Sequence, residues 1–141
     1  MNTNPTIMFV DDDRDLLMAQ EAYFSRRGYK VLTAATRERA LALLAENTPD
    51  LIVLDLMMEH YDSGLTLNHE LRKDARFAKL PIIMLSGVAS TTRENLGGLL
   101  RDQPSWSKLD AFLDKPVTAQ QLLRVIEEKL GDKVPNVAVT H

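Results

Sequence analysis

The sequence predicts a single α/β domain built on a mainly parallel sheet, and three observations lead there. Short runs at Thr6–Val10, Lys30–Ala34, Leu51–Asp55, Pro81–Ser86 and Asp110–Asp114 are mostly apolar and bounded by Gly, Pro or Asp, as buried strands are. Longer segments lie between them, with apolar residues three or four apart in the manner of amphipathic helices. The two kinds of segment alternate, and strands alternating with helices imply right-handed crossovers and a sheet covered on both faces. That is a doubly wound α/β domain.

The first helix is marked by Leu16, Tyr23 and Phe24 and should end at Gly28. Thr36 precedes a second helix carrying Ala40, Leu41 and Leu44, and Leu67 with Leu71 marks a third. The last helix has the clearest start: Thr118, with Gln121 three positions on, forms a capping-box signature ahead of Leu122, Leu123, Ile126 and Leu130. Residues 87–109 exceed what a simple crossover needs, and with Gly97-Gly98, Pro104 and Trp106 they suggest a helix plus an irregular extension. The domain is expected to occupy residues 1–130. Residues 131–141, with Pro135 and no helical period, read as a loose tail or the stub of a linker.

Composition narrows the class of function. At 141 residues, with 45% apolar and 26% charged side chains, the chain buries a real core without disulfides or structural metal. Against 17 basic side chains there are 20 acidic ones, and a net charge of −3 does not suit a nucleic-acid or anionic-membrane binder. Partners are therefore expected to be proteins. No cysteine is present, which removes disulfides, thiolate metal sites and a cysteine nucleophile. The N-terminus lacks a signal-peptide pattern, and the longest apolar run, residues 51 to 58, is interrupted by Asp55 and too short to span a bilayer. A soluble, cytoplasmic protein is the expectation.

In an open parallel sheet, ligands bind beyond the carboxyl ends of the strands, and here those ends are polar. The first run stops at Asp11-Asp12-Asp13, the third at Asp55, the fourth at Ser86-Gly87 and the fifth at Asp114-Lys115-Pro116. Asp13 is accounted for as the cap of the following helix. Capping cannot serve Asp11 and Asp12 as well, and placing them near Asp55 costs repulsion unless a cation offsets it. Carboxylates without nitrogen or sulfur donors suit Mg²⁺. Asp55 sits between Leu54 and Leu56-Met57-Met58, where a carboxylate needs a reason to be. A carboxylate acceptor, a divalent ion, a hydroxyl and a lysine are together what phosphoryl transfer asks of a protein.

The order Asp11-Asp12, Asp55, Ser86, Lys115-Pro116, each at a strand end of a fivefold β/α pattern, resembles the receiver domain of two-component response regulators, over residues 6 to about 130. The resemblance implies a flavodoxin-like sheet of order 2-1-3-4-5. It also implies that Asp55 accepts a phosphoryl group from a histidine kinase or phosphotransfer protein. Asp12 would ligate Mg²⁺, with Asp11 acting largely through water, Asp55 itself as a ligand, and the Met57 backbone carbonyl as the remaining protein donor. Ser86 matches the switch hydroxyl, Lys115 the ion-pairing lysine and Phe112 the aromatic switch position. A cis peptide between Lys115 and Pro116 and a signalling face formed by the fourth helix, fifth strand and fifth helix follow from the same likeness.

The sequence departs from that family where Glu59 replaces the usual proline, where Asp62-Ser63-Gly64 carries one extra residue, and in the long 87–109 segment. None of these removes a chemical group. His60, His69 and His141 lack metal-pair spacing and read as ordinary polar residues. There is no Gly-rich phosphate loop of either common kind. Two other readings are a haloacid-dehalogenase-like phosphatase using Asp11, which leaves Asp55 unexplained and lacks a later acidic pair, and a receiver-fold interaction module that is never phosphorylated. With no output domain following, the chain is expected either to stand alone, acting through an unknown downstream protein target, or to come from something longer.

Overall fold

The structure is a computed structural model that describes residues 4–55, 67, 70–86, 110–114 and 117–131, the side chains of Ser86, Asp110, Phe112 and Asp114 excepted. Five strands, β1 (Thr6–Val10), β2 (Lys30–Ala34), β3 (Leu51–Asp55), β4 (Ile82–Ser86) and β5 (Asp110–Asp114), form one sheet in the order β2-β1-β3-β4-β5. Every pairing is parallel. The fold is thus the flavodoxin-like one expected. β4 starts one residue later than the sequence suggests, because Pro81 has no N–H to give the ladder; its carbonyl still accepts from the Ile52 amide at 3.1 Å.

The strands are apolar on both sides, and their period of two divides the core. Ile7, Phe9, Leu51, Val53, Ile83 and Leu85 point to one face, where they pack with Leu17 and Phe24 of helix α1 (Arg14–Ser25) and with Leu122, Ile126 and Leu130 of helix α3 (Ala119–Leu130). Met8, Val10, Ile52, Leu54, Ile82 and Met84 point to the other, against Ala40 and Leu44 of helix α2 (Arg37–Glu46) and against Leu67 and Leu71. Helical backbone at 67 and 70–73 lies between β3 and β4. The stripe of α1 is set one residue from the expected one: Leu17, Gln20 and Phe24 are buried, while Leu16 is only partly covered. Phe24 meets the rings of Phe9, Tyr23 and Tyr29 at centroid distances of 5.2, 5.0 and 5.8 Å.

The helix boundaries come from local chemistry. The Thr36 hydroxyl accepts from the Arg39 amide at 3.0 Å, and Thr118 and Gln121 exchange both capping-box bonds, at 3.0 and 2.9 Å. After α1 the chain reverses at Gly28, whose φ of 92° is a left-handed conformation that side chains disfavour, and the Tyr29 amide returns to the Phe24 carbonyl at 3.2 Å. At the opposite edge from the strand ends, Thr6 and Asp50 fasten β1 to β3: the Thr6 amide donates to the Asp50 carboxylate at 2.8 Å and the Asp50 amide to the Thr6 carbonyl at 2.7 Å. The expectations for residues 87–109, for the loop carrying Glu59 and Gly64, for the Lys115–Pro116 peptide and for the tail beyond Gly131 lie outside the described residues.

Candidate functional site

Strand β1 pairs with β3 in the register Val10↔Leu54, so one further step sets Asp11 beside Asp55 at the carboxyl edge of the sheet. Both residues continue the odd-numbered face that holds Phe9 and Val53. Asp11 and Asp55 are each 3% exposed, whereas Asp12 stands exposed at the rim. A carboxylate oxygen from each of the three lies within 4.8 Å of the others. Three like charges so close, two of them buried, are mutually repulsive and hold together best around a cation.

The loop after β1 shapes this cluster. The Asp11 amide donates to the Ala34 carbonyl of β2 at 3.0 Å, and the Asp11 carboxylate accepts from the Asp13 amide at 3.0 Å. Asp13, with φ −84° and ψ 98°, is the N-cap of α1, and its carboxylate accepts from the Leu16 amide at 3.1 Å. The capping role read from the sequence is therefore the observed one. What sequence reasoning missed is the bond from the Asp13 backbone to Asp11; the run of three consecutive aspartates was the available signal.

The sequence singled out three carboxylates for a metal site, Asp11, Asp12 and Asp55, and the fold brings all three together. Ser86 is the last residue of β4 and pairs with Asp114 of β5, which puts both strand ends on the same edge as Asp55. Phe112 lies in β5 opposite Met84. The side chains of Ser86 and Phe112, and all of Met57, Lys115, His60, His69 and His141, lie outside the described residues. All-oxygen carboxylate donors at this spacing fit a small hard cation such as Mg²⁺, whose preference is for oxygen ligands. On the other face of the sheet, a concavity of about 220 Å³ is floored by Leu41, Leu44, Leu71 and Phe77. Its charged rim residues Glu70 and Asp74 are paired with Arg37 and Arg76, so it offers no comparable chemistry.

A doubly wound parallel sheet with this acidic edge defines a class, and comparison with known proteins names it. Residues 7–127 match the response regulator receiver domain, and the chain belongs to that family of two-component signalling proteins. It is 31% identical over 138 residues to the DNA-binding dual master transcriptional regulator RpaA of Synechocystis sp., covering 95% of this chain and 53% of that one. Against the response regulator Rre1 of Synechocystis sp. it is 32% identical over 127 residues, covering 89% and 52%. The chain thus spans about half the length of these curated relatives. Among solved structures, the receiver domain of the Francisella response regulator 1452 superposes with a TM-score of 0.73 at 29% identity, covering 92% of this chain and 98% of that one. A CheY-like receiver domain protein from Methanospirillum hungatei does so at 0.76 and 28%, covering 93% and 97%. Membership of this family sets the phosphatase reading aside. Among the described residues no helix is long and apolar enough to cross a membrane.

Proposed function

We propose that the chain is a phosphorylation-switched signalling receiver that accepts a phosphoryl group on Asp55 from a histidine kinase or phosphotransfer protein. The observation that carries this reading is the cluster of Asp11, Asp12 and Asp55 at the carboxyl edge of the sheet. An Asp55 carboxylate oxygen attacks phosphorus, the bond from phosphorus to the donor's imidazole nitrogen breaks, and an acyl phosphate forms on Asp55 while the imidazole leaves. A carboxylate attacks without the help of a base, so positioning and charge neutralisation are what the protein supplies.

Asp11, Asp12, Asp55 and the Met57 carbonyl are the residues that would hold Mg²⁺. When bound, the ion supplies positive charge where the carboxylates and the incoming phosphoryl group gather. Lys115 pairs with the phosphoryl oxygens, and Ser86 donates its hydroxyl to them. Ser86 thereby vacates space that Phe112 enters, and the new state is read by a downstream protein through the changed face around β5. The protein works in the cytoplasm as a switch rather than as a turnover catalyst.

Labelling with acetyl phosphate tests the assignment. Wild type is labelled only with Mg²⁺ present, and Asp55→Asn takes no label. Undiminished labelling of that variant, or of wild type in excess chelator, overturns the reading, and absence of any label would favour a module that signals without phosphorylation.

A further inference from the structure

The backbone and side chain of Asp13 connect the acidic cluster to the start of α1. Its amide donates to the Asp11 carboxylate at 3.0 Å, its own carboxylate accepts from the Leu16 amide at 3.1 Å, and its carbonyl accepts from the Leu17 amide at 3.0 Å. The extended cap conformation of residue 13, with φ −84° and ψ 98°, sets how the peptide plane that carries this amide joins the first turn of α1. Asp11 is buried and its backbone is tied to β2 through its own amide, so the base from which its carboxylate extends is fixed.

We infer that Asp13 is a positioning residue for the cation site: its cap on α1 holds the amide that orients the Asp11 carboxylate, so that cation binding and the first turn of α1 stabilise one another. This rests on the reading of the cluster as a Mg²⁺ site. Asp13 is no ligand in this scheme. Its side chain acts through Leu16 on its own backbone, and its backbone acts on Asp11. Linkage makes the coupling reciprocal: whatever the cap contributes to cation affinity, the cation returns to the cap.

The scheme separates cap geometry from bare charge. Asn and Ser cap a helix about as well as Asp, whereas Ala does not. In calorimetric titrations of the full chain with Mg²⁺, Asp13→Ala is expected to weaken binding by about fivefold, the size of one cap interaction. Asp13→Asn and Asp13→Ser should stay within about twofold of wild type, since the lost charge sits on an exposed side chain that water screens. Thr118→Ala, which removes an equivalent cap from α3 and touches no carboxylate of the cluster, controls for general loss of stability and should bind as wild type does. Amide exchange at Leu16 and Leu17 should slow on adding Mg²⁺ to wild type and not to Asp13→Ala.

Unchanged affinity in Asp13→Ala overturns the inference, and so does equal weakening in Asp13→Asn, which would make charge the cause. Equal weakening in Thr118→Ala does the same, by making overall stability the cause. These results would leave the proposed function standing. Failure of wild type to take up Mg²⁺ at all would instead remove both.

Discussion

Asp11 and Asp55, at the carboxyl ends of the adjacent strands β1 and β3, bring carboxylate oxygens within 4.8 Å of one another while each residue is only 3% exposed. Parallel pairing puts them there, and burial gives the contact its electrostatic weight.

Mg²⁺ should stabilise the fold through this pair. A ligand that binds only the native state, present at a hundred times its dissociation constant, contributes about 2.7 kcal/mol, or roughly 5–10 °C in thermal midpoint for a domain of this size. Asp11→Asn and Asp55→Asn should each respond by less than about 2 °C. A full response in Asp55→Asn, measured by calorimetry, would place the ion elsewhere.

The acyl phosphate on Asp55 should be long-lived. Hydrolysis needs a water in line with the phosphorus, and Met57 and Val88, two residues beyond Asp55 and Ser86 in the sequence, would put apolar bulk there and carry no group to orient one. Met57→Asn should speed dephosphorylation by about tenfold, a modest share of what positioning a reactant supplies. A decay of the radiolabel that is unchanged or slower in the variant would count against this steric account.

Phosphorylation should be readable at Trp106, which lies in the long segment before β5. Occupying the site with beryllofluoride and Mg²⁺ should change its fluorescence, and Phe112→Ala should reduce that change by more than about half, since the proposed aromatic switch would then be missing. Identical fluorescence and identical amide exchange across residues 87–116, with and without the mimic, would send the signal through another surface.

Alkaline stability should depend on Tyr29. Burial first, and the Glu127 carboxylate second, push its phenol from 10.0 up to about 12. The folded state thus keeps a proton that the unfolded chain gives up, and the stabilisation is complete below pH 10 and is lost as pH rises toward 12. Denaturant titrations should show a loss on the order of 1 kcal/mol across that window, and a flatter profile for Tyr29→Phe. A wild-type profile no steeper than that of the variant would contradict it.

Much of this molecule is legible in its sequence because the signals are local. The alternation of Ile7 and Phe9 with Met8 and Val10 reports a strand apolar on both sides. The spacing of Thr118 and Gln121 reports a cap whose two bonds close within a single turn. Asp55, a carboxylate ending an apolar run, reports a site because an ion there is expensive without a purpose. The choice between Leu16 and Leu17 for the core stripe of α1 was not legible, since neighbouring leucines differ only in how the helix is rotated against the sheet.

By itself, then, the sequence determined the elements, their caps and the identity of the acidic residues, all set by interactions spanning a few positions. Tertiary structure decided what no local pattern carries: that β1 lies between β2 and β3, an order the sequence reached only through its family resemblance, that Asp11 meets Asp55 within 4.8 Å, and that the Asp13 amide turns back to the Asp11 carboxylate. Thr6 and Asp50 tie β1 to β3 across the chain, and Arg37 reaches Glu70 from a different helix. Such pairings depend on the sum of many packing contacts between distant segments, and no short stretch of chain carries that sum.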